Sequence, residues 1–256
     1  MPHFFVDPEK VVAGRFELGP GESRHVVRVL RLKAGAVVNL FDGKGRRYEG
    51  RIDSIQGPTV RGVLIPAQSR PSETHDVRLH LWPAIPKGDA LEWMLEKLTE
   101  IGVSAVHPIV TERTVARIPS DRIAQRLQRW GRIVTAAAKQ SGRADLPEVS
   151  APCSLAEALI RCGAEPKIMP WEGENTLTIV RAFDRFRPEF SEGRSSSLHV
   201  FIGPEGGFSL PEVRSMRQAG GLPVTLGQRI LRVGTAALYA ASILYNEIEE
   251  SKGDLR

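Results

Sequence analysis

The chain has 256 residues, 41% apolar and 25% charged, which is the balance of a globular protein with one large domain or two modest ones. No apolar run approaches the roughly 20 residues a membrane span requires, and the first ten residues show no basic segment followed by an apolar one. A cytoplasmic protein without membrane attachment is therefore expected. The formal charge of +5 lies wholly in residues 1–70, with 12 Lys+Arg against 7 Asp+Glu, because residues 71–256 hold 23 of each.

Arginine supplies 27 of the 35 bases, and its planar fork of donors fits phosphate. A basic first module beside a neutral remainder suggests nucleic acid at one end and chemistry at the other. Surplus arginine on a soluble surface is the competing reading, and composition alone does not choose.

Residues 1–70 read mostly as short strands: 37–41, 46–52 and 59–65, divided by Asp42-Gly43 and Gln56-Gly57-Pro58 turns. They predict a compact β module, a small barrel. Ser23 to Leu32 instead fits a helix capped by Ser23. Arg24, Arg28 and Arg31 share one face of it, with Val26, Val29 and Leu30 broadly opposite. Pro66 to Thr74 reads as a linker. Strands are then expected at 77–84 and 103–110, and a helix from Asp89 to Gly102. A long helix from Ser120 to about Gln140 has an apolar face (Ile123, Leu127, Trp130, Ile133, Val134, Ala137) and a basic face (Arg122, Arg126, Arg129, Arg132, Lys139). The basic face fits either solvent or RNA.

Capping boxes at Ser154/Glu157 and Ser209/Glu212 start further helices. Strands are expected at 167–171, 198–202 and 222–226, and a last helix over 235–250. Alternating strands and helices imply an α/β domain over 71–256 with a mostly parallel sheet. Cys153 and Cys162 are the only cysteines; they read as reduced thiols, and a lone C-x8-C pair does not make a metal site.

Ligands of open α/β sheets bind beyond the C-terminal strand ends, and three such ends carry unusual loops. The first is Met169, Pro170, Trp171 and Glu172. The second follows Ile202 with Gly203, Pro204, Glu205, Gly206 and Gly207, where three glycines in five positions permit close backbone approach to a ligand. A tight structural turn is the plainer explanation. The third runs from Leu226 and Gly227 through Ile230, Leu231 and Arg232 to Gly234, Thr235 and Ala236. Apolar side chains with backbone donors suit a flat adenine there, and Arg232 brings a fixed cation. No P-loop is present, and Gly203-Pro204-Glu205-Gly206 breaks the dinucleotide spacing, which argues against a nicotinamide oxidoreductase.

FIGPEGGFS (201–209) followed by LGQRILRVGTAAL (226–238) resembles the paired signature of the RsmE family, within the SPOUT class of methyltransferases. The segments HVVRVLRLKAG (25–35), EKLTEIGVSAVHPIVTER (96–113) and AAAKQSGR (136–143) are also similar in order and spacing. The resemblance implies a PUA-like RNA-binding barrel over 1–70 and a SPOUT domain over 71–256 with a trefoil knot. It further implies a homodimer, and S-adenosyl-L-methionine held by the three loops. The expected reaction is N3 methylation of a uridine in 16S ribosomal RNA, on free RNA or the small-subunit particle. Arg232 is the catalytic candidate, and Arg24, His25, Arg28, Arg31 and Arg143 are the candidate RNA contacts. One departure stands out: Val233 and Gly234 occupy positions where the family commonly has threonine and glutamate. A related SPOUT enzyme acting on ribose, and a non-catalytic RNA-binding protein, are the alternatives.

Overall fold

The structure is a computed structural model that describes residues 3–65 and 77–254. The chain forms two compact units, Met1–Thr74 with Thr135–Leu146, and His75–Val134 with Pro147–Arg256. The expected linker and the 70/71 boundary fall outside the described residues.

In the first unit, strands β1 (His3–Phe5), β2 (Val11–Val12), β3 (Arg15–Glu17), β4 (Val37–Phe41), β5 (Arg47–Gln56) and β6 (Thr59–Leu64) form one sheet in the order β1-β4-β5-β6-β3-β2. Only the β1–β4 pair is parallel. The edge strands β1 and β2 do not pair, so the expected barrel is a curled open sheet. A register shift between Ile52 and Ser54 adds to the curl. Phe4, Phe16, Val38, Leu40 and Ile52 fill its core.

The expected helix over 23–32 starts earlier. Helix α1 spans Pro20–Arg24 behind Gly19 and runs on through a wide helical turn over His25–Val29. Ser23 is not its cap: its hydroxyl donates to the Leu18 carbonyl (3.1 Å) and accepts from Val60 N (3.2 Å), tying the helix to β6. Val26 is fully buried, but Val29 is 69% exposed and not part of an apolar face.

The second unit contains β7 (Arg78–Pro83), α2 (Ala90–Ile101), β8 (Ala105–Val106), β9 (Ile109–Val110), α3 (Ile123–Ser141), β10 (Glu148–Val149), β11 (Cys153–Ser154), α4 (Leu155–Cys162), β12 (Lys167–Pro170), α5 (Ile179–Ser191), β13 (Ser197–Ile202), α6 (Leu210–Gln218), β14 (Leu222–Val224) and α7 (Val233–Asp254). Of α3, the residues to Val134 belong here and the rest to the first unit. Six strands make a fully parallel sheet in the order β10-β8-β7-β13-β12-β14. The single strand expected over 103–110 is two, because β8 joins this sheet and β9 pairs with β11. The break falls at His107-Pro108.

Apolar residues of α2, α5 and α7 close one core with β7 and β13, among them Leu95, Leu98, Phe183, Ala240 and Leu244. A second cluster gathers Trp82, Met169, Phe201, Phe208 and Met216. Among the described residues no helix is long and apolar enough to cross a membrane.

Candidate functional site

Strands β13, β12 and β14 are parallel neighbours, so their C-terminal ends open on one edge. From β12 the chain returns to β13 on one side, then crosses back to β14 on the other. Ligands of α/β sheets sit at such a reversal. The three loops enclose a cavity of about 460 Å³, within the range of small-molecule sites.

The loop after β12 is tied to β14. Trp171 N donates to the Val224 carbonyl (3.0 Å), and Thr225 N donates to the Leu177 carbonyl (2.8 Å). Within the loop, the Glu174 carboxylate accepts from the Thr176 hydroxyl and from Thr176 N and Leu177 N. These hydrogen bonds to the charged form hold its pKa down to about 2.

The glycine loop after β13 is held from several sides. Gly207 N donates to the Pro204 carbonyl (2.9 Å). The carbonyl of the same peptide, on Gly206, accepts from Arg113 Nη1 (2.8 Å). Glu205 accepts from Lys87 N (3.1 Å). Glu212 closes the capping box with Ser209 and also accepts from Glu112 N (2.8 Å). Gly207 has φ +69°, and a Cβ there would lie 2.5 Å from a Glu172 carboxylate oxygen. The left-handed backbone favours glycine, and any side chain there would have to displace the Glu172 carboxylate. The stem of Arg113 closes the other side, with its Cβ 3.3 Å from where a Gly206 Cβ would stand.

The loop after β14 is bare by comparison. Gly227 N donates to the Thr225 hydroxyl (3.1 Å). Residues 228–231 make no hydrogen bond among the described residues, and Ile230 is 92% exposed. Arg229 and Arg232 are exposed and have no carboxylate partner among the described residues. Helix α7 starts at Val233, where Ala236 N donates to the Arg232 carbonyl (2.8 Å). Val233 and Gly234 thus form its first turn and are not loop residues. A Cβ on Gly234 would come within 2.9 Å of the Trp93 ring, so α7 and α2 approach closely there.

Most sequence-selected residues meet in this cavity: Pro170, Trp171, Glu172, Ile202 to Gly207, Leu226, Gly227, Ile230 to Arg232 and Ala236. Met169 lies beneath, fully buried in one apolar cluster with Phe208 and Trp171. Gly234 and Thr235 do not line it; Thr235 borders a separate groove with Trp93, Leu238 and Tyr239. Gln228, Arg229 and Val233 of the third loop also line the cavity, as do Glu174, Phe208 and Thr225, which lie outside the segments assigned to the cofactor.

Behind the site, Trp82 Nε1 donates to His199 Nδ1 (3.0 Å) and the His80 and His107 rings stack. Burial pushes the pKa of His80 down to about 4 and of His199 to about 3, so both are neutral at pH 7. Among the described residues His80 Nε2 has no hydrogen-bond partner.

The arginines divide into two kinds. Arg126 and Arg129 of α3 both pair with Glu92. In the first unit, Arg143 makes a two-pronged pair with Asp145 and is only 10% exposed. Arg24, Arg28 and Arg31 are exposed and lack a carboxylate partner among the described residues. Arg31 has φ +51° and lies beyond the helical turn. His25 sits edge-on to Phe4.

Comparison with known proteins agrees with this geometry. An RNA methyltransferase domain matches residues 73–245, and an RNA methyltransferase PUA domain matches 18–65. The ribosomal RNA small subunit methyltransferase E of Bacillus subtilis is 29% identical over 99% of this chain and all of its own length. That of Synechocystis is 31% identical over 92% of this chain and 74% of its own. A crystal structure of the Neisseria gonorrhoeae ribosomal RNA small subunit methyltransferase E bound to S-adenosyl methionine superposes with a TM-score of 0.79 at 31% identity, covering 96% of this chain and 98% of that one. The chain belongs to the ribosomal RNA small subunit methyltransferase E (RsmE) family, as its paired signature loops indicated.

Proposed function

We propose that this protein transfers the methyl group of S-adenosyl-L-methionine to N3 of a uridine in 16S ribosomal RNA. The observation that carries the reading is the convergence of three parallel strand ends on one cavity lined by the signature residues. The names of the relatives and the S-adenosyl methionine bound to the Neisseria neighbour support the same cofactor and substrate class. Residues 1–70 serve as the RNA-binding module and 71–256 as the methyltransferase domain. The trefoil knot, the homodimer and the cytoplasmic location come with the family. The α2/α7 groove, where Trp93 and Tyr239 are each nearly half exposed, supports close packing of a second copy.

The residues fit the cofactor. Gly206 and Gly207 leave a cradle that a Cβ would fill, and Leu226, Ile230 and Leu231 supply apolar walls for an adenine. Bound there, S-adenosyl-L-methionine provides a methyl group on a sulfonium, already activated for displacement. The difficulty lies with the acceptor, because uridine N3 carries a weakly acidic proton and its lone pair is conjugated until that proton leaves. The N3 proton leaves to solvent, and the protein must place N3 in line with the methyl and stabilise the negative charge left on the flanking O2 and O4. Orientation supplies part of the acceleration. Arg232, a cation at the cavity wall without a carboxylate partner among the described residues, supplies electrostatic stabilisation. Glu205 is held on Lys87 N, which fits a role in loop structure better than one as a general base.

The test is to incubate the protein with methyl-labelled S-adenosylmethionine and small ribosomal subunits lacking the modification, then digest the RNA to nucleosides. Label recovered as N3-methyluridine is the expected result. Label on ribose or another base overturns the acceptor assignment. Cofactor binding with no transfer to subunits or to assembly intermediates favours a non-catalytic RNA-binding protein.

A further inference from the structure

We propose that Arg113 is a positioning residue of the cofactor site: it locks the Gly206–Gly207 peptide and thereby sets cofactor affinity. The inference rests on the cofactor reading above. Arg113 lies in the loop after β9, outside the three loops that line the cavity, and 93 residues from the carbonyl it holds. A peptide flanked by two glycines has little steric resistance to reorientation, since neither neighbour carries a Cβ. Here both ends of that one peptide are engaged, with its N–H on the Pro204 carbonyl and its C=O on the Arg113 guanidinium. The second bond is the stronger kind, because its donor is charged.

The Arg113 stem also packs where a Gly206 side chain would stand, so contact and hydrogen bond act on the same residue. Its neighbour Glu112 donates its N–H to Glu212, the residue that caps α6 immediately after the glycine loop. Two successive residues of the loop after β9 thus hold the glycine loop and the helix that follows it. Without Arg113 the peptide samples more than one orientation, and the cofactor selects only a fraction of them.

Calorimetric titration with S-adenosylmethionine tests this on the full-length protein, for wild type, Arg113→Met, Arg113→Lys and Arg117→Met. Arg117→Met removes the same charge from the same loop. We expect Arg113→Met to weaken binding about ten-fold, Arg113→Lys to recover part of the loss and Arg117→Met to match wild type. Hydrogen exchange of the Gly207 amide in the cofactor-free protein should accelerate in Arg113→Met alone, with melting temperature unchanged. In turnover, KM for the cofactor should rise while kcat holds. Wild-type binding with equal affinity in Arg113→Met overturns the proposal. Equal loss in Arg117→Met also overturns it, since that makes net charge the cause. Failure of wild type to bind S-adenosylmethionine, with exchange at Gly207 still faster in Arg113→Met, overturns the cofactor reading and leaves the peptide lock standing.

Discussion

Residues 203–209 and 226–232 follow parallel strands that flank β12, each has a glycine at or just after its start, and both contribute to the same cavity. The first is pinned from two other loops, by the Lys87 backbone N–H on Glu205 and the Arg113 side chain on Gly206, and ends in a capping box. The second makes one turn at Thr225–Gly227 and then exposes Ile230 and two arginines. The difference separates two tasks. A prearranged backbone surface loses little entropy when a small cofactor binds. An open loop bearing cations remains free to adapt to a large polyanionic acceptor. One half of the site is built before any ligand arrives, and the other is completed by it.

The strongest way to break this contrast is to spoil the built half. Gly207→Ala places a Cβ against Glu172 in a left-handed backbone, which costs about 2–3 kcal/mol. The free loop relieves that strain by leaving its cofactor-ready shape, so cofactor affinity measured by calorimetry should fall, by up to about 100-fold. Adding Glu172→Ala should restore the steric part and leave the backbone part. Arg232→Ala strikes the open half. Single-turnover assays should show methyl transfer slowed about 100-fold with the cofactor dissociation constant nearly unchanged. Unchanged turnover would remove Arg232 from the chemistry.

Acid acts on the sheet beneath the built loop. His80 and His199 titrate in the folded protein at about 4 and about 3, below the 6.5 of an unfolded chain. The unfolded state therefore binds more protons below pH 6.5. Stability is intact above that pH and declines as pH falls towards 3–4, by about 1.4 kcal/mol per pH unit for each histidine. Denaturant titrations of His80→Leu against wild type should show a shallower acid limb in the variant.

The smallest effect is expected in the first unit. Arg28→Ala should weaken RNA binding several-fold and lower the salt dependence by about one counterion. Arg126→Ala should change both less, because Glu92 holds that side chain and offsets part of its charge. Filter binding at several salt concentrations distinguishes the two.

The parts of this protein that could be read from sequence were those with local causes. Ser154 and Ser209 cap their helices as their spacing indicates. β4 spans the β-branched run over 37–41. The paired glycine and arginine loops gave the cavity because parallel strands must present their ends together. What escaped depended on distant partners. Ser23 looks like a cap, yet Leu18 and Val60 claim its hydroxyl and the helix starts at Pro20. His107-Pro108 reads as mid-strand until β9 finds β11 in a separate sheet. Helix α5 went unread although Ile179, Ala182, Phe183 and Phe186 carry its apolar spacing; Pro188 obscured it. Arg113 gave no local sign of its role, because the carbonyl it holds is 93 residues away. The basic face of α3 gave no sign that Arg126 and Arg129 share Glu92, which lies 34 and 37 residues away on α2.

Amide hydrogen exchange of the full-length protein, with and without saturating S-adenosylmethionine, tests the division of the site most directly. The account predicts that 203–209 is already protected in the free protein and changes little. Residues 226–236 should be the segment that gains the most protection on binding. Protection appearing first and mainly over 203–209, with 226–236 unaffected, would contradict it.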